Sequence, residues 1–257
     1  MSHWVRFARG DASTGWGRIE GEHIVVHSNA PWHNSAETGE KLAAAEVRLL
    51  APVQPRCFVG LWNNFHAAAA KSGAGIPDFP LYFLKSPGSL LDPEGIIQPP
   101  PGYTGRIIYE GELGLVIGQK CCNISETEAE SAIFGYTCVN DVTALGLFGD
   151  DPGFAQWARA KGCDSFGPVG PVVATGLDWA SLVVRVSLNG RERQNYPASD
   201  MILPPARIVS LISREMTLHP GDLIACGTSI GALPMRPGMV VEVTIDGIGM
   251  LRNTVAG

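Results

Sequence analysis

No run of apolar residues in this chain approaches the roughly 18 needed to cross a bilayer as a helix, so no membrane span is expected. The opening stretch, M-S-H-W-V-R-F, lacks a basic region followed by an apolar one, so no secretory signal is expected. An excess of basic residues is also missing: the net charge is -6, which disfavours nucleic acid or anionic lipid as partners. The six cysteines, Cys57, Cys121, Cys122, Cys138, Cys163 and Cys226, include no C-x-x-C or other zinc spacing. Several lie in apolar, strand-like runs where reduced buried thiols are common, which places the chain in a reducing cytoplasm. There is no internal repeat and no low-complexity tract. What remains is a chain of 257 residues, 45% hydrophobic and 17% charged, long enough to bury one sizeable core.

The stretch around which the rest is organised is Tyr109–Gly118, Y-E-G-E-L-G-L-V-I-G. It reads as a strand that buries Leu113, Leu115 and Ile117 but begins with Glu110 and Glu112. Residues i and i+2 of an extended chain share a face, so the two carboxylates sit side by side, roughly 6.5–7 Å apart at Cα. Like charges at the mouth of a buried strand repel unless a cation lies between them, and a hard divalent ion is one such cation. Asp141 stands at the end of a second apolar run, Y-T-C-V-N-D-V. Three oxygen donors without nearby cysteine or histidine select Mg²⁺, Mn²⁺ or Ca²⁺, and leave coordination positions open for water and substrate. The competing reading is that these acids are solvated strand ends.

Three further residues carry the same ambiguity. Lys161, in R-A-K-G-C-D-S-F-G-P, either holds an oxyanion beside the metal or is a solvated lysine. Thr228, in C-G-T-S-I-G, is either a ligand-facing hydroxyl or part of a plain turn. His66, on the alanine-rich helix expected over Trp62–Lys71, is either a general base on a movable lid or a bland helical histidine. His3, His23, His27 and His33 are expected at the surface with no role.

The other element signals are mostly short strands. Hairpins are expected over Gly15–Ser28 and, around Asn189-Gly190, over Leu182–Gln194. An amphipathic helical patch is expected over Ala36–Leu50, and another helix over Pro204–Met216. Ser125-x-x-Glu128 is a capping box for a short helix expected to end at Gly135. Phe166–Thr175 reads as a strand broken by Pro168 and Pro171, and Lys85–Gly105 as a surface wrap rich in proline and glycine. The balance favours a mostly β, α+β fold with a barrel-like core.

Six blocks in order, G-L-W-N-N-F-H (60–66), P-L-Y-F-L-K (80–85), Y-E-G-E-L-G-L-V-I-G (109–118), G-Y-T-C-V-N-D-V-T-A (135–144), A-K-G-C-D-S-F-G-P-V-G-P (160–171) and T-L-H-P-G-D-L-I-A-C-G-T (217–228), resemble the fumarylacetoacetate hydrolase family. The resemblance covers residues 56–257 as a catalytic domain, with residues 1–55 similar to the small β-rich N-terminal domain of many members. It implies a rolled mixed sheet around Mg²⁺ or Mn²⁺, with Glu110, Glu112 and Asp141 as ligands, and a homodimer. It further implies substrate contacts at Lys161 and Thr228, and a lid base at His66. The implied substrate is a 2-oxo or 2,4-dioxo acid, and the implied first activity is hydrolysis of its C–C bond in the catabolism of aromatic compounds or related acids. Enol–keto isomerisation, decarboxylation and a non-catalytic, degenerate member are the alternatives.

Three positions depart from the family pattern. Ala69 stands where hydrolases and decarboxylases often carry a glutamate beside the lid histidine, with Asp78 the candidate replacement. Leu145 replaces an arginine and Phe148 a glutamine at substrate-facing positions, which implies a more apolar pocket than that of relatives acting on dicarboxylates.

Overall fold

The computed structural model describes residues 1–257. Strands dominate it. In chain order they are β1 (Ser2–Ala8), β2 (Thr14–Glu20), β3 (His23–His27), β4 (Glu37–Ala43), β5 (Arg48–Leu50), β6 (Phe58–Trp62) and β7 (Leu81–Lys85). There follow β8 (Leu90–Leu91), β9 (Ile96–Ile97), β10 (Ile107–Ile108), β11 (Gly111–Ile117), β12 (Ile133–Asn140), β13 (Thr143–Ala144) and β14 (Gly167–Thr175). The last are β15 (Val183–Leu188), β16 (Arg191–Pro197), β17 (Leu223–Ala225), β18 (Pro234–Met235), β19 (Val240–Ile245) and β20 (Gly249–Val255). The helices are short: α1 (His66–Ser72), α2 (Glu126–Ala132), α3 (Leu145–Phe148), α4 (Trp157–Lys161) and α5 (Pro205–Ser213). None is long and apolar enough to cross a membrane. All six cysteines are free thiols.

A 12-stranded mixed sheet runs β4-β3-β2-β1-β14-β12-β11-β17-β6-β7, with β5 on β1 and β8 on β14. A five-stranded sheet, β16-β15-β19-β20-β9, packs against it, and β13-β10-β18 form a three-stranded one. The fold is thus mostly β, as expected. Every residue of β11 is buried. Its odd-numbered face, Leu113, Leu115 and Ile117, joins the main core with Val184, Val186, Val243 and Ile245 of the second sheet. Val116, on the opposite face, packs in a second core with Phe58, Val139, Val169 and Leu223. The even-numbered face begins with Glu112, so the sheet's alternation alone aims this carboxylate away from the inter-sheet core.

Several expectations change. Ala36–Leu50 is β4, a 3₁₀ turn and β5, and not a helix. β4 pairs with β3, the register slips between Val25 and His27, and Gly39 sits at φ +86°, a conformation no helix accommodates. The alanine-rich helix starts only at His66, because Trp62 still belongs to β6. The capping box of α2 is present in full, but the helix ends at Ala132 and Gly135 lies inside β12. A side chain at Gly135 would strike the Ala174 carbonyl, so this glycine serves strand approach. β14 runs through both prolines, and a register shift against β12 between Tyr136 and Cys138 absorbs them. The 85–105 wrap contributes β8 and β9 to two sheets, and Lys85 itself is buried. His27 is half-buried, its ring edge-on to Trp4 at 4.7 Å.

Two structural clamps explain residues of the 60–66 and 217–228 blocks that carry no chemistry themselves. Buried Asp222 accepts the amides of Arg56 and Cys57 on one oxygen and that of His219 on the other. Buried Asn64 accepts the Leu203 amide and donates to the Leu203 and Cys226 carbonyls.

Candidate metal centre

The strand expected over Tyr109–Gly118 begins only at Gly111. Glu110 precedes β11, Glu112 lies within it, and Asp141 follows the last residue of β12. Gly111 pairs with Asn140 across these strands, so the antiparallel register delivers Asp141 to the two glutamates. The Asp141 amide donates to the Glu110 carbonyl at 2.8 Å, and the Glu110 amide to Asn140 Oδ1 at 3.1 Å. One ligand atom from each of Glu110, Glu112 and Asp141 lies within 4.8 Å of the others. Glu112 and Asp141 are buried, and the Glu110 side chain is 15% exposed, which leaves one approach to the cluster.

Two ammonium groups share this pocket of charge. Lys161, at the end of α4, donates to Glu110 Oε2 at 2.7 Å and to Asp141 Oδ2 at 2.5 Å. Lys85, at the end of β7, donates to Asp141 Oδ1 at 2.6 Å and to the Lys161 carbonyl. Thr143 Oγ1 donates to Glu110 Oε1 at 2.8 Å, and the Gly227 amide to Glu112 Oε2 at 2.7 Å. Glu112 Oε1 has no partner, although it is buried.

The electrostatics follow. Burial, reinforced by Asp141 and Glu110, pushes the Glu112 carboxyl well above the usual range. Burial also raises Glu110, against the pull of Lys161. Burial opposes ionisation of Asp141 too, but Lys161 and Lys85 together outweigh it and hold that carboxyl low. Burial works against the Lys161 ammonium, which Asp141 and Glu110 nonetheless keep above its ordinary range. Burial lowers the pKa of the enclosed Lys85, and with all five groups ionised three carboxylates against two ammonium groups leave one negative charge in excess. An all-oxygen donor set, an excess of negative charge and an unpartnered buried carboxylate oxygen fit a hard divalent cation. Such an ion would reach Glu110, Glu112 and Asp141, with both lysines held in the surrounding shell.

Thr228 comes close but is engaged. Its hydroxyl donates to the Gly111 carbonyl at 3.0 Å and accepts from Gln194 Nε2 at 2.9 Å. Thr228, buried Ser229, Glu110, Leu61 and Ala68 share the wall of a cavity of about 210 Å³. Ser229 Oγ has no partner. An adjoining cavity of about 300 Å³ is lined by Leu61, Trp62, Phe83, Glu110, Leu145, Phe148, Trp157 and Lys161. The roomiest hollow, about 590 Å³, shares only Trp62, Phe83 and Trp157 with it and touches none of the three carboxylates, so size does not locate the chemistry here.

His66 is not brought to the cluster. It opens α1, is exposed, and lines neither cavity, although Ala68 and Ser72 of the same helix do border the first. Ala69 is fully buried, so no acid can act from that position, and Asp78 is exposed.

Three residues of the site were not singled out from the sequence. Lys85 had a signal: in L-Y-F-L-K, period-two alternation puts it on the buried face with Phe83. Gln194 and Tyr196 had none. Gln194 Oε1 accepts the Gly111 amide at 3.1 Å, and the Tyr196 hydroxyl donates to the Gly111 carbonyl, contacts made across more than 80 residues.

Comparison with known proteins adds ancestry to this geometry. Residues 57–256 match the family described as Fumarylacetoacetate (FAA) hydrolase C-terminal, and residues 2–52 one described as Rv2993c-like, N-terminal. The chain is 34% identical over 255 residues to the oxaloacetate tautomerase YisK of Bacillus subtilis, covering 92% of this chain and 84% of that protein. It is 34% identical over 209 residues to a 2,4-didehydro-3-deoxy-L-rhamnonate hydrolase of Sphingomonas sp., covering 77% and 72%. Among solved structures it is similar to a 2-hydroxyhepta-2,4-diene-1,7-dioate isomerase from Mycobacterium marinum, with 36% identity, a TM-score of 0.90, and coverage of 100% of this chain and 98% of the other.

Proposed function

The chain belongs to the fumarylacetoacetate hydrolase family, and on that premise we propose that it is a divalent-metal-dependent enzyme that interconverts the enol and keto forms of a 2-oxo acid. Glu110, Glu112 and Asp141 hold Mg²⁺ or Mn²⁺ in this reading. When bound, the ion supplies Lewis-acid charge to the 2-oxo carboxylate end of the substrate. The Lys161 ammonium, held between Glu110 and Asp141 and bordering the cavity, faces the negative charge that develops on the substrate oxygen. Lys85 is a positioning residue: it fixes Asp141 from behind and anchors the Lys161 backbone. Gln194 holds the Gly111 amide and the Thr228 hydroxyl, and so sets the loop that borders the substrate.

The observation that carries this reading is the pairing of a buried Ala69 with an exposed His66. Hydrolysis needs a water molecule to be oriented and deprotonated, whereas tautomerisation needs only stabilised charge on oxygen and a proton at carbon. Hydrolysis of a C–C bond in an acylpyruvate-type acid is the second reading. The approach of α1 to the cavity through Ala68 and Ser72 favours it, because His66 belongs to the same helix.

The test is product analysis with the Mg²⁺-loaded protein. Tautomerisation in deuterated water puts deuterium on the carbon next to the 2-oxo group and leaves the skeleton whole. Two acid fragments, with oxygen from ¹⁸O-labelled water in the new carboxylate of the acyl fragment and a solvent proton on the carbon of the 2-oxo acid fragment, would establish the hydrolase instead. Glu112→Ala is expected to abolish either activity together with metal binding, and unchanged metal content in that variant would sink the assignment of the ligands.

A further inference from the structure

Resting on the reading above, the geometry points to a substrate class: a 2-oxo acid whose far end is uncharged and aromatic. The 300 Å³ cavity meets the carboxylate cluster only through Glu110 and Lys161, and the rest of its wall is Leu61, Trp62, Phe83, Leu145, Phe148 and Trp157. Its single cation, Lys161, is already held by two carboxylates. The neighbouring Arg159 is paired with Asp150 at 3.0 Å and does not line the cavity. A second carboxylate at the far end of a substrate would therefore lie against apolar side chains with no counter-charge, which is unfavourable.

An aromatic ring meets the opposite situation. Trp157 is the hub of the wall: Phe148 lies edge-on to it at 4.7 Å, Phe83 stacks on it at 5.1 Å, and Trp62 is edge-on at 6.3 Å. Lys161 Nζ stands 5.0 Å from the centre of the Phe83 ring, so the ammonium marks where the polar end of the site gives way to the aromatic end. A substrate ring placed there extends the same edge-to-face packing. Trp62, Phe83 and Trp157 also line the 590 Å³ hollow, so a longer tail continues along an apolar wall.

The experiment compares two acids with the same 2-oxo acid head. Phenylpyruvate carries a phenyl group where oxaloacetate carries a carboxylate. With the full-length, Mg²⁺-loaded protein, kcat/KM for enol-to-keto conversion is expected to favour phenylpyruvate by at least about tenfold. Phe148→Arg is expected to reverse that order. Phe148→Leu keeps the wall apolar if the arginine variant fails to fold, and is expected to lower the ratio of kcat/KM for phenylpyruvate to that for oxaloacetate. Calorimetric Kd values for the same pair separate this inference from the activity it rests on. If neither acid turns over yet phenylpyruvate binds at least about tenfold more tightly, the proposed reaction fails and the substrate class stands. Equal or tighter binding of oxaloacetate, or no binding of phenylpyruvate, overturns it.

Discussion

Glu112 is fully buried, and one of its oxygens has no donor. Without a cation its charge costs stability, so Glu112→Gln is expected to raise the thermal midpoint of the metal-free protein. Mg²⁺ at a hundred times its Kd is expected to stabilise the unmodified chain by about 2.7 kcal/mol and the variant not at all; melting with and without MgCl₂ reads both signs. Gly111 is a second such position: a Cβ there would fall 2.2 Å from Val186 Cγ2. Gly111→Ala is therefore expected to cost about 1–3 kcal/mol in urea denaturation. His27 makes its own contribution to the pH dependence of stability, opposite in sign to that of the raised Glu110 and Glu112 carboxyls. Desolvation lowers its pKa below the ordinary 6.5, with Glu37 opposing and Arg18 assisting. A folded-state pKa below the unfolded one means that the unfolded chain binds more protons, so stability falls as pH drops below about 6.5. His27→Gln is expected to flatten that slope in denaturation measured across pH 5–7. At this scale the carboxylates were legible, because their positions at strand ends carry a charge argument. Gln194 was not, because its partners are Gly111 and Thr228 and no local pattern announces them.

Among the elements, those with local chemistry read correctly. The Asn189-Gly190 hairpin stands as β15 and β16, with Asn189 and Gly190 both at positive φ. The capping box of α2 is real, and Ser125→Ala is expected to cost about 1 kcal/mol, since it frees the Glu128 amide and removes the hydroxyl that donates to Glu128 Oε2; chemical denaturation measures it. Elements decided by distant partners read wrongly. Residues 36–50 have the alanines and leucines of a helix, but pairing of β4 with β3 and of β5 with β1 outweighs that propensity. The Lys85–Gly105 segment looked like surface because its prolines and glycines dominate. It is nonetheless fixed at its start, Lys85, by Asp141 and near its middle, Ile96-Ile97, by β20.

For the molecule as a whole, β-dominance and the ordered blocks foretold the fold. What no periodicity carried was that β1 to β5 extend the sheet that holds the site. β1 lies beside β14, β14 beside β12, and β12 leads into Asp141. Deleting residues 2–52 is therefore expected to bare the β14 edge and to lower the solubility of residues 57–256, which size-exclusion chromatography would detect. The same pairing has a consequence in time. Thr175 bonds to Ser2 across 173 positions, so the first strand to leave the ribosome waits for about 10–35 s of synthesis before its neighbour exists. During that interval β1 has only the β2 hairpin and β5 to cover it. Nascent chains made close together on one message then risk trading first strands before β14 is made.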